Sequence, residues 1–110
     1  MSNSERVRLL RKFIQEEPEN PFNRYALALE IKEINPNEAA ELFAFLLLNY
    51  PTYLPVYFPS AHFFFELGQI EKAREIFERG IALAREKNEQ KTLQELKNAY
   101  QNFLFENDLD

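Results

Sequence analysis

Between Leu54 and Ala84 the chain reads LPVYFPSAHFFFELGQIEKAREIFERGIALA: an aromatic-rich segment, a glycine turn and an amphipathic helix. The same plan occurs about one repeat earlier. Ala39 and Phe43 recur as Ala73 and Phe77, a spacing of 34, and Pro18 and Ala28 recur as Pro51 and Ala61, a spacing of 33. A helix–turn–helix pattern returning at that interval marks a helical-repeat protein, because one such unit cannot bury its own apolar stripe. Glycine is scarce and β-branched residues are few, which favours helix over sheet.

Six helices are predicted. The first covers 4–15, with Val7, Leu10, Phe13 and Ile14 as its apolar stripe and Ser2 with Glu5, or Ser4 alone, as its cap. Arg8, Arg11 and Lys12 fall on the opposite face, where charge meets solvent; a basic docking patch is the minor alternative. The second covers 20–34, capped by Asn20 with Pro21 in the first turn, and sets Leu27, Ala28 and Ile31 on one face. The third covers 36–49 behind an Asn35-Pro36 start, with Glu38 completing a box, and its stripe is Ala39, Phe43, Leu46 and Tyr50. Phe45 and Leu48 lie on its far side, so it is apolar nearly all round: either covered on two sides or carrying a binding patch. The fourth covers 54–67, where Pro59 demands a kink or a later start; Tyr57, Ala61 and Phe64 share one side, and Gly68 closes it in the left-handed conformation. The fifth covers 70–86, with Ala73, Ile76, Phe77, Gly80, Ile81 and Ala84 inward; a glycine there predicts very close approach of another helix. The sixth covers 89–105 with Leu93, Leu96, Tyr100, Phe103 and Leu104 inward and a wet outer face, and the acidic tail 106–110 is expected to fray.

A length of 110 residues suits one domain, and 45% hydrophobic with 15% aromatic content suffices for one core. The formal net charge of −5 argues against a general nucleic-acid binder, which needs a basic face for phosphates. The absence of cysteine excludes disulfides, thiolate metal sites and cysteine nucleophiles. The charged beginning MSNSERVRLLRKFIQEEP does not read as a secretory signal, and the apolar run from Leu42 to Leu48 is too short for a bilayer, so a soluble cytoplasmic protein is expected.

These residues resemble the tetratricopeptide repeat. The family's small residue midway along the first helix of each unit is matched by Ala28 and Ala61, and its apolar or aromatic residue three later by Ile31 and Phe64. Its turn glycine is matched by Gly68 but not by Asn35, its second-helix pair by Ala39 with Phe43 and Ala73 with Phe77, and its closing proline by Pro18 and Pro51. Arg85 stands where the next proline would be. The resemblance spans nearly the whole chain and extends to small stand-alone bacterial members. It implies an all-α, right-handed α–α superhelix of half a repeat, two full repeats and a C-terminal capping helix, forming a single domain over 1–110.

In that family the first helices line a concave groove. By resemblance the groove presents Phe22, Tyr25, Leu29 and Lys32 from the second helix and Phe58, His62, Phe65 and Glu66 from the fourth. Rings in such a groove anchor a peptide or partner helix; alternatively they pack against one another or the sixth helix. Some family members hold a C-terminal carboxylate with Lys and Asn, but Tyr25, Leu29, Phe58 and His62 occupy the corresponding positions, so an apolar or aromatic ligand segment fits better. His62 and Glu66 make an i,i+4 pair, too few ligands for a metal site. With no nucleophile–base arrangement or phosphate loop, no catalytic residue and no cofactor is expected. The reading is a non-enzymatic protein-interaction scaffold. Its rival is a self-associating unit, a homodimer through Phe45 and Leu48.

Overall fold

The structure, a computed structural model, describes residues 3–109. Among them are six helices and no strand: α1 (Asn3–Glu16), α2 (Pro21–Ile31), α3 (Pro36–Asn49), α4 (Tyr57–Glu66), α5 (Ile70–Glu86) and α6 (Gln90–Glu106), with a 3-10 turn over Leu54–Val56. The proposed cap Ser2 and the last tail residue, Asp110, lie outside the described residues. The chain forms two compact units, Met1–Val56 and Tyr57–Asp110.

In the first unit both hairpin helices start as their caps dictate. The Asn20 side chain accepts from the Phe22 amide, and the Asn35 side chain accepts from the Glu38 amide at 3.3 Å. Pro21 and Pro36 follow, at positions whose missing N–H has no intrahelical acceptor to lose. Helix α2 ends at Ile31, short of the expected 34, and Ile34 stands exposed in the turn. The core joins Leu27, Ala28 and Ile31 of α2 to Ala39, Phe43, Leu46 and Leu47 of α3. Tyr50, expected in the inward stripe, is instead the half-buried C-cap of α3, its amide donating to the Leu46 carbonyl, and Leu47 takes the buried place. An all-round apolar helix leaves its inward face under-determined by sequence, and packing decides.

Helix α1 has no fully buried residue. It is tied to the hairpin by two ion pairs, Arg6 to Glu30 at 2.9 Å and Arg11 to Glu38 at 2.6 Å. Arg11 thus does more than meet solvent: its guanidinium donates to both carboxylate oxygens of Glu38 and holds that carboxyl below its usual range, chiefly by hydrogen bonding. Both pairs are open to water, so each adds up to about 1 kcal/mol.

In the second unit α4 begins at Tyr57, beyond the 3-10 turn. Pro59 therefore falls in the first turn of α4, where an amide hydrogen has no intrahelical acceptor, and the later of the two expected starts is the one adopted. The core takes Tyr57, Ala61, Phe63 and Phe64 from α4, Ala73, Ile76, Phe77, Gly80 and Ala84 from α5, and Leu96 and Phe103 from α6. Ile81, Leu93, Tyr100 and Leu104 are half-buried. Gly80 marks the close approach its position predicts: a Cβ there would lie 2.8 Å from the Tyr57 Cβ.

Three helices of this unit end alike. Gly68 (φ 81), Asn88 (φ 58) and Asp108 (φ 53) each take the left-handed conformation. The following amides, of Gln69, Glu89 and Leu109, reach back to the carbonyls of Phe64, Ala84 and Leu104, a Schellman closure in each case. The amides of Asn107, Asp108 and Leu109 thus all find acceptors in the last turn of α6. The Gln69 and Glu89 amides close one helix while their carbonyls accept the first bond of the next, from Ala73 and Leu93.

Candidate functional site

On the α2 face, the positions named from sequence lie three to four residues apart, and helical geometry sets them along one side. Phe22 is 53% exposed. Tyr25, Leu29 and Lys32 are half-buried. The rings of Phe22 and Tyr25 lie 6.5 Å apart, and Tyr25 meets Tyr53 edge-on at 5.8 Å. Tyr53, from the loop before the 3-10 turn, is a site residue the sequence reading missed. It lies outside every helix, so helical periodicity carries no signal for it; a ring in a proline-bounded loop is the nearest hint.

Burial pushes the Tyr25 phenol above its ordinary pKa, and burial together with the neighbouring Tyr25 does the same to Tyr53. Both remain protonated donors at neutral pH. Among the described residues neither hydroxyl has a protein hydrogen-bond partner, and no carboxylate pairs with Lys32.

On the α4 face the four named positions separate. Phe58 is 40% exposed, and Glu66 is exposed. His62 is half-buried with its ring 4.8 Å from Phe58 and edge-on to Phe77 at 5.9 Å. Phe65 is occupied within the unit, packing edge-on against Phe103 of α6 at 5.2 Å. Of the two alternatives for these rings, Phe65 takes the one in which the sixth helix covers it, and Phe58 stays open. Tyr100 stacks near Phe103 and donates to Glu78 at 2.6 Å, which fixes α6 on this side of α5. Among the described residues no three His, Cys, Asp or Glu side chains converge on a metal-sized site.

The back of α3 holds the remaining candidates. Leu48 is 80% exposed. Phe45 is partly covered by the Arg24 guanidinium, 4.3 Å above its ring. That contact, worth about 0.5–1 kcal/mol at an exposed site, gives a surface phenylalanine a cationic lid.

Paired helices with alanine at matching phase, and aromatic rings on the first helix of each pair, define a helical-repeat protein. The profile of the tetratricopeptide repeat matches residues 31–101. Two solved structures are similar: a tetratricopeptide repeat domain protein from Salinibacter ruber determined by NMR, and one from the same organism determined by crystallography. The NMR structure is 37% identical with a TM-score of 0.73, over 78% of this chain and 88% of that one. The crystal structure is 36% identical with a TM-score of 0.71, over 77% of this chain and 96% of that one. No curated protein matches. The chain belongs to the tetratricopeptide repeat family, whose fold is generally a protein–protein interaction module and typically non-catalytic. Among the described residues no helix is long and apolar enough to cross a membrane.

Proposed function

We propose that this protein is a non-enzymatic interaction scaffold that takes a peptide or partner helix on the aromatic faces of α2 and α4. The observation that carries the reading is the open rings at the starts of those helices, Phe22 and Phe58, each beside a half-buried aromatic neighbour, Tyr25 and His62. Large, low-entropy rings on a rigid helix are the side chains that dominate binding energy when desolvated by a partner.

Tyr25→Ala and Phe58→Ala are each expected to weaken capture of the wild-type binding partner by about thirtyfold, the equivalent of a 2 kcal/mol hot spot. Their helical circular-dichroism spectra should match the wild type. Unchanged capture by both variants, or loss of the helical spectrum along with binding, would assign these rings to structure instead.

A second reading rests on the exposed back of α3. Leu48 and Phe45 supply a contact for a second copy of the chain, giving a homodimer. Light scattering of the wild type should then report a dimer that Leu48→Glu converts to monomer. A wild type that is monomeric at high concentration removes this reading.

A further inference from the structure

We infer that α1 is a flap latched by charge: it opens about the turn at 17–20 when its ion pairs to α2 and α3 are screened, while those two helices stay packed on each other. The device uses none of the aromatic positions assigned above to ligand binding.

The first support is how little core α1 shares. Every other helix contributes at least two buried residues, and α1 contributes none. Its apolar stripe stays near the surface. Val7, Leu9, Leu10 and Ile14 are half-buried, and Phe13 is 39% exposed. Burial of apolar surface is the main force that holds a helix on its neighbour. By that measure α2 and α3 grip each other, through Leu27, Ala28, Ile31, Ala39, Phe43 and Leu46, more firmly than either grips α1.

The second support is charge. Helix α1 carries Arg6, Arg8, Arg11 and Lys12 against Glu5 and Glu16, a formal charge of +2. With the whole chain at −5, the remainder stands at −7, so a basic helix lies on an acidic body. The two ion pairs join these opposites at separate points, Arg6 to Glu30 on α2 and Arg11 to Glu38 on α3. Both are open to water, where dissolved ions screen them.

The third support is the pivot. The Asn20 amide donates to the Glu17 carbonyl at 3.0 Å, and the Asn20 side chain donates to the Glu17 carboxylate at 3.3 Å. The Arg24 guanidinium of α2 donates to the Pro18 carbonyl. These bonds fasten the turn to the start of α2, so α1 lifts from its N-terminal end. Once lifted, a helix of 14 residues is at the margin of stability on its own. Opening therefore appears as local loss of amide protection in α1. It also frees the carboxylates of Glu30 and Glu38, giving the first unit an acidic surface whose exposure follows the ionic environment.

The test is amide hydrogen exchange, resolved by residue, on the full chain. Between about 0.01 M and about 1 M sodium chloride the screening length falls from about 30 Å to about 3 Å. Two exposed pairs, each worth up to about fivefold, then predict a rise of about tenfold in α1 exchange with α2 and α3 unchanged. The Arg6–Glu30 pair is the one to exchange, because the Glu38 side chain also meets Asn35 at the start of α3. Arg6→Glu and Glu30→Arg should each speed α1 exchange severalfold at low salt, and the two together should restore it. Salt-independent exchange in wild-type α1 overturns the inference. So does exchange of α1 only in step with α2 and α3, which would make the three helices one cooperative block. A double variant no slower than the single ones overturns it too, and if a single variant fails to fold, the salt series on the wild type decides.

Discussion

Phe77→Ala should cost about 3–5 kcal/mol, the range for emptying a large buried ring site. The Phe77 ring is fully buried and lies 5.4 Å from Phe103, 5.6 Å from Tyr100 and 5.9 Å from His62. Its removal opens a void where α4, α5 and α6 meet, and rigid helices cannot collapse to fill it. Small domains hold about 5–15 kcal/mol in total, so this loss consumes much of the reserve and the thermal transition of the second unit should fall by tens of degrees or vanish. Phe105→Ala provides the comparison: that ring is 76% exposed and its truncation should leave the transition nearly in place. Calorimetry or circular dichroism reads both. Equal transitions for the two variants would mean that Phe77 does not anchor the core.

The second large effect comes from adding a single methyl group. Gly80→Ala replaces a poor helix former with the best one, a local gain of about 1 kcal/mol. The new Cβ would nonetheless sit 2.8 Å from the Tyr57 Cβ, 3.2 Å from its Cγ and 3.3 Å from a Leu96 methyl. The leucine methyl can swing aside. The Tyr57 Cβ cannot, because it is bonded directly to the α4 backbone and its side chain is fully buried. Relief requires α4 and α5 to separate, an overpacking cost of about 1–3 kcal/mol, and the close backbone-linked contact puts it at the upper end. The net result is a loss of about 1–2 kcal/mol, seen as a melting temperature several degrees lower. A higher melting temperature in Gly80→Ala would show that propensity wins and that the helices have room.

Both sites are legible in the sequence, for a shared reason. Phe77 and Gly80 sit on one stripe of a strongly amphipathic helix, so periodicity alone sends them inward. A glycine that helix propensity disfavours is explained only by a close neighbour. The same reasoning placed the asparagine caps and the glycine stop, because their chemistry is local. Where a helix is apolar on all sides periodicity is a weaker guide: on α3 it points to Tyr50 for the inward stripe, whereas Leu47 holds the buried place. It could not reach contacts between residues distant in the chain. Arg11 reads as a solvated cation until Glu38 is brought beside it. Tyr53 joins Tyr25 across a gap no repeat pattern marks. Phe65 looks like a binding ring until Phe103 is seen to cover it. Asn88 and Asp108 end their helices in the conformation glycine usually supplies, through tolerance of that backbone region rather than by the expected residue type.

The residues that close one helix with their amide and open the next with their carbonyl have a consequence for how this chain can change. Surface connections ordinarily tolerate extra length, since the entropic cost of lengthening a loop is small. At Gln69 and Glu89 there is no spare chain to lengthen. One inserted residue would have to abandon either the bond to Phe64 or Ala84 behind it or the bond from Ala73 or Leu93 ahead. These two junctions should therefore admit substitution but resist any change in length.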